Sequence, residues 1–275
     1  METNLAGLGK LERTRLSLLI QAGDPIFTPD STAALLKLDK KRATHLLANW
    51  ARKGWLSRVK HGVYVPVSLQ SETNQVMVDD PWLLANSLFE NCCIGGWSAA
   101  EHWNLTEQIF NVTMVFTTKK ASKRVLNLNG ARFILKTVSS HKDFGSKFIW
   151  RGKQKVRISD PSKTIVDAFN DPAVVGGSRM ATDILNAYMK SEFKNLKLLF
   201  EYALQMRNTA IFKRLGYLFE LYFTNEIRFI AKMKKEIKSG YSQFDPSIPG
   251  ETLVTTWNLW VPKVLKKGLL QNDQS

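Results

Sequence analysis

Apolar positions change their spacing several times along the chain, and each change marks an element. Leu11, Leu16, Leu18, Leu19 and Ile20 give a first helix, which Gly23, Asp24 and Pro25 terminate. Phe27 leads into Thr28, Pro29, Asp30 and Ser31, which supply the cap and first turn of a short second helix through Leu36, ending near Lys37. Asp39 is a good N-cap for a third helix to about Lys53, closed by Gly54. On that third helix Ala43, Leu46, Leu47, Trp50 and Ala51 follow the i, i+3, i+4, i+7, i+8 spacing of one buried stripe. The opposite face carries Lys40, Lys41, Thr44, His45, Asn49 and Arg52. Trp55 to Val59 and Val63 to Val67 then alternate in character and meet around Lys60, His61 and Gly62, the pattern of a hairpin with glycine at its tip.

Three helices followed by a hairpin bearing Arg58, Lys60 and His61 predict a winged helix-turn-helix, whose third helix enters the major groove of DNA while the wing touches the adjacent backbone or minor groove. The predicted DNA-binding residues are Lys40, Lys41, Thr44, His45, Asn49, Arg52, Arg58, Lys60 and His61. A basic amphipathic helix alone would read as a solvated surface. It is the order of short helix, tight turn, capped basic helix and basic hairpin that shifts the reading to duplex DNA.

The polar, aperiodic stretch Ser68 to Asp79 reads as a linker, which gives a DNA-binding domain over 1–67 and a larger C-terminal domain over 80–275. The second domain opens with a helix from Asp80 to Leu88 with Pro81 in its first turn. It continues with a short strand at Cys92 to Gly95 and a helix Ala99 to Trp103 capped by Ser98. Alternating runs follow at Val112 to Thr117 and Arg132 to Val138. Strands and helices mix to about Gly177, and helices dominate to about Lys238. The expected class is α+β, a winged helix-turn-helix followed by a mixed domain ending in a helical array.

Charge sharpens the partner. The 275 residues carry 39 Lys and Arg against 24 Asp and Glu, a net charge of +15 with a pI near 9.8, which attracts polyanions. The excess is +6 over residues 1–67, +3 over 68–178 and +6 over 179–275. No apolar stretch approaches the ~18 residues that span a bilayer, and no secretory pattern opens the chain. The two cysteines, Cys92 and Cys93, are adjacent and cannot staple distant segments. These features point to a reducing cytoplasm.

Tests for chemistry come out negative. Ser98 follows Gly96-Trp97 but lacks the second glycine of a nucleophile elbow. His45, His61, His102 and His141 show no metal-ligand spacing, so neither metal nor cofactor is expected. Glu236-Ile237-Lys238 matches the acid-x-Lys pair of metal-dependent nucleases by letter, but it belongs to a lysine-rich helical stretch rather than an alternating strand.

Several segments together carry a family resemblance: Trp55 to Val65, Gly96 to Gln108, Ser159 to Asp167 with the Gly176-Gly177 pair, Arg214-Leu215-Gly216-Tyr217-Leu218-Phe219-Glu220, and Leu259 to Pro262 after Trp257. In their order the chain resembles the AbiEi antitoxins of type IV toxin-antitoxin systems. The resemblance implies repression of the chain's own operon through promoter DNA, with an operator of inverted repeats, and neutralisation of a nucleotidyltransferase-fold toxin by the C-terminal domain. Basic residues on presumed outward positions of the helical array, Lys213, Arg214 and Arg228 among them, are expected to form the antitoxin surface. The alternative is a winged-helix regulator that answers a ligand and has no toxin partner.

Overall fold

The computed structural model describes residues 9–67, 80–120, 123–128, 130–152 and 154–263. In chain order the elements are α1 (Lys10–Ala22), α2 (Pro29–Leu36), α3 (Lys40–Arg52), β1 (Leu56–Lys60), β2 (Val63–Pro66), α4 (Pro81–Leu88), β3 (Cys93–Ile94), α5 (Gly96–His102), β4 (Val112–Thr117), β5 (Val125–Leu128), β6 (Ala131–Thr137), β7 (Ser146–Arg151), β8 (Gln154–Ser159), α6 (Pro161–Asn170), α7 (Ser178–Lys190), α8 (Leu196–Gln205), α9 (Thr209–Tyr222), α10 (Ile227–Lys235), β9 (Ser242–Gln243), β10 (Thr252–Val254) and β11 (Leu259–Val261). The fold is α+β, with ten α-helices and eleven strands among the described residues.

The chain divides into two compact units. The first comprises the described residues within 1–92, 111–136 and 148–156; the second comprises those within 93–110, 137–147 and 157–275. The expected linker, Ser68 to Asp79, lies outside the described residues.

In the first unit α1, α2 and α3 enclose one small core. Leu16, Leu19, Phe27, Leu47, Trp50, Leu56 and Tyr64 form it, with Leu36, Leu46, Ala51 and Trp55 packed against its rim. Local chemistry places the helices. Thr28 and Ser31 form a reciprocal capping box at the start of α2, and Pro29 occupies its first turn. Lys37 turns the chain at φ 52°, and Asp39 then accepts from the Arg42 backbone N–H at 2.8 Å to open α3. β1 and β2 pair antiparallel, and Phe27 adds a further rung by exchanging backbone hydrogen bonds with Tyr64 at 2.7 and 2.9 Å. The same unit holds α4, capped by Asp80, the antiparallel β5 and β6 with β4 beside them, and most of the β7–β8 hairpin.

In the second unit α6 is the central element. Every residue from Pro161 to Phe169 is buried, and the helix packs on α5, α7, α8 and α9. Asp160 caps it by accepting from the Lys163 backbone N–H at 2.9 Å, and its other oxygen accepts from the Tyr202 hydroxyl at 2.8 Å. Lys163, only 3% exposed, is paired with Asp167 one turn on, which is the way a buried charge is tolerated. Burial pushes the Asp167 carboxyl up, against the lowering pull of Lys163. Ser98 does not cap α5: the helix begins at Gly96, three residues earlier than expected, with Gly95 as its N-cap, so Ser98 is a buried residue of its first turn. The three short strands near the C-terminus order as β10-β11-β9.

Candidate nucleic-acid interface

The exposed face of α3 is dictated by what the helix buries. With Ala43, Leu47 and Trp50 at 0% exposure, the residues about half a turn away face solvent. Lys41, Thr44, His45, Ala48 and Arg52 are exposed in a stripe along the axis, with Lys40 and Arg42 beside it and Asn49 half-buried at its margin. Arg42, which periodicity alone did not single out, therefore belongs to the same face; its side chain leans on Asp39 at 3.1 Å.

Three contacts fix how this face is held. Lys40 pairs with Asp30 in the first turn of α2 at 2.8 Å, linking the two helices at their N-terminal ends. The Thr44 hydroxyl donates to the Lys40 carbonyl at 2.8 Å, which leaves its oxygen lone pairs free to accept from a base edge. On the far side of the helix Lys53 donates to Glu12 of α1 at 2.9 Å, and this hydrogen bond holds the Glu12 carboxyl below the usual carboxylate range.

The hairpin brings its own cations beside α3. Gly62 turns the strand at φ 70°, a conformation that favours glycine, and the register slips between Arg58 and Lys60. Arg58 Nη2 lies 2.7 Å from His61 Nδ1; because a guanidinium only donates, the imidazole accepts through that nitrogen. Lys60 Nζ donates to the Leu88 carbonyl at the C-terminal end of α4, 3.2 Å away. That carbonyl is one of the unsatisfied acceptors of a helix terminus, where a cation is favoured. Lys60 is therefore anchored within its own unit through one of its three N–H donors.

The expected antitoxin residues do not share one surface. Lys213 is 2% exposed and Arg214 is 4% exposed, so neither faces outward. Lys213 Nζ donates to the Gly240 carbonyl at 2.6 Å, and burial pushes its ammonium down. Arg214 donates through Nη1 to the carbonyls of Phe169 at 2.6 Å and Asn170 at 3.2 Å, and through Nε to Gln243 at 3.0 Å. Burial lowers the Arg214 guanidinium, and Asp245 and Asp171 oppose that shift. These two side chains fasten α9 to the end of α6 and to the segment before β10. The physical reason is that α9 is buried continuously from Ile211 to Phe219, so it has no solvent face there on which a cation could sit. Arg228 is exposed on α10, with Lys232 and Lys235 at helical spacing on the same side.

The segments that carry the family resemblance in the second unit are architectural. Gly216 lies so close to Trp257 that a Cβ built there would fall 1.9 Å from the indole ring, and Trp257 Nε1 donates to Glu220 at 2.5 Å. Gly177, at φ 114°, leads into α7, whose first backbone N–H, that of Ser178, donates to Asp245 at 2.9 Å. Burial raises the Asp245 carboxyl, but hydrogen bonds from Ser247 and Ser178 outweigh it and the group ends below its ordinary range. Cys93 lies buried 3.8 Å from the Ser159 hydroxyl, and burial pushes its thiol up to about 12. Glu236 closes α10 and Lys238 follows it beyond the helix; neither lies on a strand. Among the described residues no group of three or more His, Cys, Asp or Glu is arranged to hold a metal, and no described helix is long and apolar enough to cross a membrane.

No protein-family profile and no curated protein matches the sequence at a significant level. Among solved structures, the chain is similar to the RV2827C protein from Mycobacterium tuberculosis, with a TM-score of 0.61 over 99% of this chain and 98% of that one, at 15% identity. At that identity the likeness concerns the fold, and function has to be argued from the residues.

Proposed function

We propose that this chain is a winged-helix repressor that binds duplex DNA at its own promoter, α3 lying in the major groove and the β1–β2 hairpin acting as the wing. One observation carries the reading: α3 buries Ala43, Leu47 and Trp50 while exposing Lys41, Thr44, His45 and Arg52 in a stripe interrupted only by Ala48, and the next element in sequence is a hairpin bearing Arg58, Lys60 and His61. On this reading Lys41, Arg52, Arg58 and Lys60 meet phosphates and set position, while Thr44, His45 and Asn49 read base edges. The family resemblance adds the biological role, an antitoxin that also counteracts a nucleotidyltransferase-fold toxin. Arg228 is the remaining exposed member of the basic set assigned to that role.

The test compares promoter DNA with random duplex of the same length. Asn49→Ala should reduce discrimination between them by about 1 to 3 kcal/mol, whereas Lys41→Ala should weaken both alike. Equal behaviour of the two variants on the two DNAs would remove the assignment. The antitoxin role is tested by co-expressing the full chain with the product of the neighbouring gene. Growth that is arrested by that product and not restored by the full chain counts against it.

A further inference from the structure

The β7–β8 hairpin displays two large aromatic side chains that the fold does not use. Phe148 and Trp150 are each 67% exposed and stand two residues apart on β7, which puts both on one face of the strand. β7 is the last strand of its sheet. Lys155 on β8 reaches across the same face, its Nζ 5.0 Å from the centre of the Trp150 ring. The opposite face is anchored: the Arg151 guanidinium lies 4.2 Å above the Trp82 ring and 3.7 Å from Asp80, both at the start of α4, and Val156 is fully buried. Asn86 of α4 further donates to the Lys155 carbonyl at 3.4 Å. Two rings are thus held out to water on a strand fixed from behind.

We infer that this face is a stacking platform for a single-stranded polynucleotide, with the bases lying on Phe148 and Trp150. Along an extended strand residues two apart are about 7 Å from one another, which leaves each ring room to take a base of its own. Charge complementarity selects the polyanion. Lys155 stands on the ring face beside Trp150, and no carboxylate occurs in the sequence from Lys147 to Arg157, so a cation for the backbone lies next to aromatic faces for bases, the combination that single-strand binding uses. Duplex DNA does not satisfy such a site, because the faces of its bases are already stacked on one another. The site is separate from α3 in residues and in ligand, and stands whether or not the duplex reading does.

Fluorescence anisotropy of the full chain with labelled oligo(dT) and oligo(rU), alongside a labelled random duplex and anionic phosphatidylserine vesicles, tests the inference. Phe148→Ala and Trp150→Ala should each raise the single-strand Kd at least about five-fold, with Trp150→Phe within about two-fold of the parent. Duplex and vesicle binding should not change. Lys155→Gln should weaken single-strand binding in a salt-dependent way. Comparison of dT with rU assigns DNA or RNA. If the double alanine variant binds both oligomers with the parental Kd, if it loses duplex or vesicle binding in the same proportion, or if it changes the sedimentation of the free protein because a second copy covers the rings, the inference is overturned. The single variants Phe148→Ala and Lys155→Gln make the same comparison should the double variant melt early. Since Lys41 and Asn49 variants report on duplex alone, failure of one site is distinguishable from failure of the other.

Discussion

If α3 and the wing bind duplex as proposed, the four side chains assigned to phosphates, Lys41, Arg52, Arg58 and Lys60, set the salt dependence of that binding. Each neutralised phosphate contributes a slope of about −0.9 in log affinity against log salt, so four give about −3.6 per chain, and raising salt from about 50 to 200 mM should weaken binding about 150-fold. Replacing Lys41 or Arg52, both exposed on α3, by alanine should flatten the slope to about −2.7 and cost about eight-fold at about 0.1 M salt. Lys60→Ala should flatten the slope by the same amount yet cost less affinity. In the free protein the Leu88 carbonyl already engages one of the three Lys60 N–H donors and fixes the direction of the side chain, so fewer of its donors are open to a phosphate than those of Lys41 or Arg52. Asn49→Ala should leave the slope untouched, because a base contact displaces no counterion. Titrations by anisotropy at five or six salt concentrations measure all of this. Parental slopes in both Lys41→Ala and Arg52→Ala, or a flattened slope in Asn49→Ala, would refute the placement of α3 against the duplex.

Gly216→Ala should destabilise by about 3 kcal/mol although alanine is the better helix former, since its methyl would overlap the Trp257 indole; in chemical denaturation the double variant with Trp257→Leu should lose about 1 to 3 kcal/mol less than the sum of the singles, and strict additivity would show that the two residues do not touch. Cys92 and Cys93 are both buried thiols, so a thiol reagent should label neither in the native protein and both in denaturant; rapid native labelling of Cys93 contradicts its raised thiol. Asp245, depressed in the folded state, contributes stability that is fully present above its unfolded value near 3.9 and is lost as pH falls through the lower native value. The stability curves of the parent and Asp245→Asn should therefore run apart at neutral pH and converge below about pH 4, and parallel curves down to pH 2 would contradict the shift.

What could be read from sequence was what short-range chemistry decides. Asp39 specifies the start of α3 three residues ahead of the N–H it accepts, and Ala43, Leu47 and Trp50 orient the helix by spacing alone, so its outward residues followed with them. Lys213 and Arg214 were misread because their partners, the carbonyls of Gly240 and Gln243, lie 27 and 29 residues further along, and a charge satisfied by distant backbone looks like a surface charge in the sequence. A signal was present nonetheless: the run from Ile211 to Phe219 offers no polar stripe apart from those two residues. Ser98 misled for a related reason. The rule that a serine begins a helix is local, whereas α5 begins at Gly96, whose φ of 51° suits a glycine. Phe148 and Trp150 sit in an ordinary alternating strand, and only the position of Trp82 and α4 behind it determines which face stays in water.

The bond from the Ser178 backbone to Asp245 spans 67 residues, and it sets an order of events during synthesis. While the ribosome is still adding the segment after α10, α7 has emerged but its first turn lacks the acceptor it will use, and Arg214 and Gly216 have yet to meet Gln243 and Trp257. Long-range closures of this kind come late, and the half-assembled chain exposes apolar surface until they form. The stretch from Gln243 to Trp257 therefore acts as the latch of the second unit, and a chain cut short of it would lack the acceptor for α7, the anchor for Arg214 and the ring that covers Gly216.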